Sequence, residues 1–282
     1  MEIEKIGVIG AGIMGAGIAQ VCAQAGYQVV MRDIEERFVS KGMEVIKENL
    51  KRMIQKTKIT QEEGEVILSR INGTVNLDKV AGCQLIIEAI IENRELKRSL
   101  FQELDLLCDP KVIFASNTSS LSITELASFS KRPKNFVGLH FFNPVPVMQL
   151  VEIIRGLETS EEVIEVVKGV VKRLGKTSIE VKDSPGFAIN RILVPMLNEA
   201  VYALMEGIAT REDIDNGMKL GCNHPIGPLA LIDLIGLDTI LAVMETFYQE
   251  FGDPKYRPCP LLRQKVRAGH LGRKTGKGFY EY

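Results

Sequence analysis

A glycine-rich turn set between two apolar runs constrains this chain more than any other feature. The run from Ile6 to Ile9 reads as a buried parallel strand, and Gly10-x-Gly12-x-x-Gly15 follows at once. A helix of small residues (Ala16, Gly17, Ile18, Ala19, Val21, Ala23) then ends at Gly26, and a second apolar run, Tyr27 to Met31, closes on Asp33. Each glycine has a physical task. Gly10 permits the tight turn, Gly12 lets a pyrophosphate approach the backbone, and Gly15 lets the helix pack closely on the strand. The helix N-terminus offers free N–H groups and a positive dipole end to the phosphates. Asp33, eighteen residues beyond Gly15, stands where a carboxylate accepts hydrogen bonds from an adenosine ribose. The glycine spacing alone is weak evidence; framed by strand, helix, strand and terminal acid, it points to a bound dinucleotide. The carboxylate would repel a 2′-phosphate, which favours NAD(H) over NADP(H), although the adjacent Arg32 pulls the other way.

At 282 residues the chain exceeds what one core usually supports, so two domains are expected. Lys+Arg 35 against Asp+Glu 36 leaves a formal charge of −1, which gives no support to nucleic-acid or membrane-surface binding. Tryptophan is absent, so a base-stacking platform is not expected. Five cysteines without a CxxC pair fit reduced thiols in a cytosol. With three histidines and no HExxH, no metal site is expected. No run approaches the roughly 18 apolar residues of a membrane helix, and Met1 leads straight into the first strand. These features predict a cytoplasmic protein.

Strand signals recur at Ile71 to Val75, Leu85 to Ile90 and Val112 to Ser116. Helical segments separate them, from Phe38 to Gln55, Thr60 to Ser69 (with Thr60-x-x-Glu63 as a capping box) and Glu92 to Leu107. This alternation predicts an α/β fold with a parallel, doubly wound sheet of Rossmann type. A short helix near Ile123 to Phe129 and two further strands, Phe136 to Phe141 and Leu150 to Ile154, follow. Glu161 to Leu174 reads as helix and Thr177 to Val181 as an edge strand. Beyond Asp183-Ser184-Pro185-Gly186 almost everything reads as helix: Phe187 to Glu206 with Pro195 as a kink, Arg211 to Leu220, Leu229 to Glu250 and Leu261 to Ala268. The expected division is a dinucleotide-binding domain over 1–183 and an all-helical domain over 184–282.

A dinucleotide site needs a substrate site at the carboxyl ends of the strands. His140, in Leu139-His140-Phe141-Phe142-Asn143-Pro144, is the natural general base, because an ordinary imidazole titrates near neutral pH. Glu152 is an acid inside an apolar run and is costly to bury alone; pairing with His140 would satisfy it. Ile87-Glu88-Ala89-Ile90-Ile91-Glu92 ends one strand with an acid, with Lys97 one turn into the next helix, and Ser116-Asn117-Thr118-Ser119-Ser120 ends another. Ser119 reads equally well as a substrate contact or as the cap of the helix near Ser122. Asn190 reads as a hydrogen-bonded core amide or a site residue.

These stretches resemble the short-chain L-3-hydroxyacyl-CoA dehydrogenase family, most closely its bacterial 3-hydroxybutyryl-CoA members. The resemblance rests on Gly10-Ala11-Gly12-Ile13-Met14-Gly15, Ser116-Asn117-Thr118-Ser119-Ser120-Leu121 and His140-Phe141-Phe142-Asn143-Pro144. Asp183-Ser184-Pro185-Gly186-Phe187 with Asn190-Arg191 and the terminal Gly272 to Tyr280 complete it, so it spans essentially the whole chain. It implies His140 as catalytic base, Glu152 as its partner, Ser119 on the substrate's 3-oxygen and Asn190 beside them. Cofactor contacts are implied at Gly10, Gly12, Ile13, Met14, Gly15, Asp33, Glu92, Lys97, Ser119, Asn143 and Lys274, and a CoA contact, by position, at Lys56. Reversible hydride transfer between NAD(H) and an acyl-CoA substrate (acetoacetyl-CoA, 3-hydroxybutyryl-CoA) is implied, with a homodimer formed through the helical domain. The chain's extent leaves no room for the fused hydratase domain of larger relatives. The rivals are a dehydrogenase of free hydroxy or sugar acids and a non-catalytic, crystallin-like NAD-binding protein.

Overall fold

The opening run is strand β1, Lys5–Ile9, buried from Ile6 onward, in a computed structural model that describes residues 1–282. Helix α1 (Ile13–Gln24), β2 (Gln28–Arg32), α2 (Glu36–Gln55), α3 (Gln61–Ser69) and β3 (Ile71–Thr74) follow. Then come β4 (Leu85–Glu88), α4 (Arg94–Leu107), β5 (Ile113–Ser116), α5 (Ile123–Ser128) and β6 (Phe136–Phe141). β7 (Leu150–Arg155), α6 (Glu161–Arg173) and β8 (Thr177–Lys182) complete the first of two compact units, Met1–Ser184.

One sheet of eight strands runs through this unit in the order β3-β2-β1-β4-β5-β6-β7-β8. β1 to β6 are all parallel. Their near-continuous apolar runs are what strands covered on both faces require. The order reverses between β1 and β4, which leaves a crevice at the carboxyl ends of those strands, the place where doubly wound sheets bind ligands. Ile6, Val8, Met31, Ile87, Val137 and Ile153 pack one core against α1 and α6.

The parallel arrangement has one exception: β7 runs antiparallel to β6, with His140 directly opposite Glu152. The connector between them, residues 142–149, is shorter than the dozen or so residues that a parallel crossover needs. Three helix starts are resolved in detail. Thr60 and Glu63 form the reciprocal capping box. α4 starts at Arg94 behind an Asn93 cap, so Glu92 lies in the preceding turn. α5 is capped by Ser122 and not by Ser119: the Ser122 hydroxyl accepts the Glu125 N–H at 3.2 Å and donates to Asp183 at 2.7 Å. Asp183 also accepts the N–H groups of Ile123 and Thr124.

The second unit, Pro185–Tyr282, holds α7 (Ile189–Met205), α8 (Arg211–Gly221), α9 (Pro228–Ile235), α10 (Leu237–Phe251) and α11 (Pro260–Arg267). Leu197, Val201, Leu229, Ile240 and Phe247 are central to its core. The single helix expected over 229–250 is two, because Gly236 adopts φ +111°, a conformation no helix contains. Buried Asp233 accepts the N–H groups of Phe279 and Tyr280, both at 2.8 Å, and so fastens the terminal segment. Cys22, Cys83, Cys108 and Cys259 are buried while Cys222 is exposed. Burial pushes the Cys22 and Cys83 thiols up to about 12 and Cys108 to about 11. No helix is long and apolar enough to cross a membrane.

Candidate active site

The glycine turn does what its spacing requires, in a sharper form. Gly10 has φ +105°, and a Cβ there would lie 2.5 Å from the Ala89 carbonyl oxygen. A Cβ on Gly15 would lie 1.8 Å from the Gly10 oxygen, so α1 packs on the turn itself as well as on the strand. A Cβ on Gly12 would meet nothing within 4 Å. That open space at the helix N-terminus is where a pyrophosphate would be received. Gly12 caps α1 without a side-chain hydrogen bond and no acid occupies the first turn, so the dipole end is left for a ligand. Ile13 is exposed and Met14 half-buried beside it.

Asp33 is held by two backbone groups, Ala11 N–H on Oδ2 and Ile34 N–H on Oδ1, each at 2.7 Å. An ionised carboxylate has about four acceptor positions, so capacity remains for ribose hydroxyls. Arg32 is turned away: its Nε donates to the Val75 carbonyl at 3.2 Å, beyond the end of β3. These residues fit a dinucleotide with an unphosphorylated ribose.

At the other end of the crevice, His140 Nδ1 lies 2.7 Å from Glu152 Oε2, with Glu152 fully buried. Buried carboxylates persist where they are paired, and here the antiparallel register supplies the partner. The Glu152 carboxylate accepts the N–H of Nδ1, which leaves Nε2 of the neutral ring as the acceptor. The Phe142 ring packs 4.6 Å from the imidazole. Asn117 Oδ1 accepts the Phe141 N–H at 2.9 Å, tying the end of β5 to the residue after His140. Lys176 Nζ donates to the carbonyls of Val145 and Met148 at 2.7 and 2.6 Å, fixing the connector that carries exposed Asn143.

The Asn117–Ser120 turn is organised by acids. Glu92 Oε1 accepts the Ser119 N–H at 3.0 Å, the Ser120 hydroxyl at 3.0 Å and the Thr118 hydroxyl. Partial burial works against its charge, but Lys97 at 3.1 Å and these donors hold its carboxyl below the usual range. Lys97 is itself buried, 2.6 Å from Glu88. Burial pushes the Glu88 carboxyl up, against the pull of Lys97 and of the hydroxyl of Ser116. Among the turn's residues, Ser119 engages only its N–H, so its hydroxyl is the one left for a ligand.

Lys56 is exposed at the far end of α2, and twenty helical residues put it about 30 Å from where that helix leaves β2. Asn190 stands half-buried in the first turn of α7 and Lys274 lies 2.6 Å from both Asp238 oxygens; both belong to the second unit. Asn117, Asp183 and Lys176 were not foreseen, because each acts on a backbone group that no sequence spacing reveals. Glu88 gave a signal, an acid closing an apolar run, but not its partners.

A family model described as the NAD binding domain of 3-hydroxyacyl-CoA dehydrogenase matches residues 5–184, and one for that enzyme's C-terminal domain matches residues 186–282. The chain is 54% identical over 278 residues to the probable 3-hydroxybutyryl-CoA dehydrogenase of Deinococcus radiodurans, covering 99% of this chain and 100% of that one. It is 45% identical over 287 residues to the mouse mitochondrial hydroxyacyl-coenzyme A dehydrogenase, covering 99% and 91%. The crystal structure of (S)-3-hydroxybutyryl-CoA dehydrogenase from Ralstonia eutropha superposes with a TM-score of 0.98 at 54% identity, over 100% of this chain and 99% of that one. With both halves matched and the sheet, glycine turn and His–Glu pair in place, the chain belongs to the 3-hydroxyacyl-CoA dehydrogenase family.

Proposed function

We propose that this protein is an NAD-dependent (S)-3-hydroxybutyryl-CoA dehydrogenase, interconverting short-chain 3-hydroxyacyl-CoA and 3-oxoacyl-CoA. The observation that carries the reading is the His140–Glu152 pair, at 2.7 Å, at the carboxyl edge of a sheet whose first turn is shaped for a dinucleotide. In the oxidative direction NAD supplies the acceptor for the hydride from C3. His140 takes the hydroxyl proton on Nε2. Glu152 keeps the ring in the productive tautomer and stabilises the imidazolium. Ser119 donates its hydroxyl to the substrate's 3-oxygen, and Asn190 helps to orient the acyl group. Gly10, Gly12, Ile13, Met14, Gly15 and Asp33 hold the cofactor's adenosine and phosphates, with Asn143 and Lys274 as further contacts. Glu92 faces the cofactor, and Lys97, being buried, acts through it. Lys56 is a CoA contact by family position alone.

A homodimer formed through the second unit is part of the same reading. Ile192, Ile208 and Leu220 are 71%, 72% and 86% exposed there, apolar side chains that a second copy could cover. Sedimentation velocity tests it: a monomer at micromolar concentration would refute it. Reduced thiols fit a cytoplasmic location, which fractionation of the native host would test. For the activity, NADH oxidation is measured with acetoacetyl-CoA beside free acetoacetate. Turnover confined to the CoA ester is expected; turnover of the free acid alone would overturn the assignment.

A further inference from the structure

We propose that Glu88 is a positioning residue for the reaction: it fixes Lys97 against Glu92 and, through Ser116, sets the turn that presents Ser119. The inference deepens the proposed function and rests on it. Glu88 is fully buried, so it touches neither cofactor nor substrate. Its Oε1 accepts Lys97 Nζ at 2.6 Å and the Ile90 N–H at 2.8 Å, and its Oε2 accepts the Ser116 hydroxyl at 2.6 Å. Three of the carboxylate's roughly four acceptor directions are thereby used.

The consequence runs along the turn one hydroxyl at a time. Ser116 gives its proton to Glu88, so its oxygen is left to accept the Thr118 N–H at 3.2 Å. Thr118 gives its proton to Glu92, so its oxygen accepts the Leu121 N–H at 2.9 Å. Ser120 also donates to Glu92. Each hydroxyl of the turn except that of Ser119 has its direction fixed by one of the two acids. Lys97, between them at 2.6 and 3.1 Å, neutralises their repulsion and keeps both charged groups in place.

Stability alone does not account for this arrangement. Apolar residues of similar volume replace buried ion pairs without loss and often with gain. A buried carboxylate that aims two strand ends and a lysine has a use where geometry decides the rate, and a misplacement of about 1 Å can cost about 100-fold.

The test compares kcat for acetoacetyl-CoA reduction with the NADH Kd, read from the cofactor's own fluorescence, in Glu88→Gln and Ser116→Ala. Ser116→Ala cuts the link to the turn and leaves the buried ion pair intact, so it serves where Glu88→Gln does not fold. Each variant is expected to lose about tenfold or more in kcat measured at saturating NADH, a loss greater than any accompanying change in the NADH Kd, since Asp33 keeps its own backbone contacts. Ser116→Thr, which keeps the hydroxyl, is expected to recover most of the rate. A kcat within twofold of wild type in either folded variant would overturn the proposal. So would a loss of kcat that merely follows a loss of NADH affinity. A wild-type chain inactive on acetoacetyl-CoA would overturn the functional reading and this inference with it; an active wild type with unaffected variants would overturn this inference alone.

Discussion

At the β1–β2 end of the crevice the protein works with backbone and with missing side chains; at the β4–β7 end it works with side chains that hold other side chains. Gly10, Gly12 and Gly15 are defined by where a Cβ cannot or need not be. His140, Glu152, Glu88, Lys97 and Glu92 are defined by partners, most of them buried. The first end tolerates few residue types but needs no partner. The second needs every partner at once, since a buried charge left alone costs far more than the pair returns.

The largest expected effect lies at the partnered end. His140→Gln should lower kcat by about 1,000-fold, in the middle of the range for a general base, with the NADH Kd within about twofold. Near-normal turnover would break the assignment of the base. Glu152→Gln should cost about 100-fold in kcat, the low end of the range for acid–base catalysis, because the amide can hold the ring but no longer stabilises the imidazolium; steady-state rates at saturating NADH measure it. At the backbone end, Gly15→Ala and Gly12→Ala should separate. The Cβ of the first would sit 1.8 Å from a carbonyl and that of the second meets nothing, so only Gly15→Ala should lower Tm. Both should weaken NADH by about tenfold or more, as lost backbone approach to a pyrophosphate does, and a destabilised Gly12→Ala would break the contrast. The smallest effect is expected for Arg32→Ala. With its guanidinium on the Val75 carbonyl, the ratio of NADH to NADPH efficiency should move by no more than about twofold, about 0.4 kcal/mol.

The same contrast governs what was legible in the sequence. Backbone requirements leave a fixed signature, so the glycine turn, Asp33 and the Thr60 capping box could be read directly. Partnered side chains are found only where topology is known. His140 and Glu152 pair on chemical grounds, because an acid in an apolar run needs a cation or donor, yet the direction of the strands carrying them is not legible in the apolar pattern. An apolar strand reads the same in either direction; only the short connector, residues 142–149, carries the sign of the antiparallel pair. The break at Gly236 was missed because apolar periodicity continues across it on both sides. Ser119 could not be told from a cap until Ser122 and Asp183 were seen to fill that role.

The distribution of thiols has a practical consequence for watching the molecule work. Cys222 is the one exposed thiol, and it sits in the second unit, so the natural chain offers a single attachment point for a thiol-reactive fluorophore. Adding Glu103→Cys on the exposed side of α4 would place a second dye in the first unit. Energy transfer between the two would then report, molecule by molecule, whether the distance separating the units changes as NADH and acetoacetyl-CoA are added.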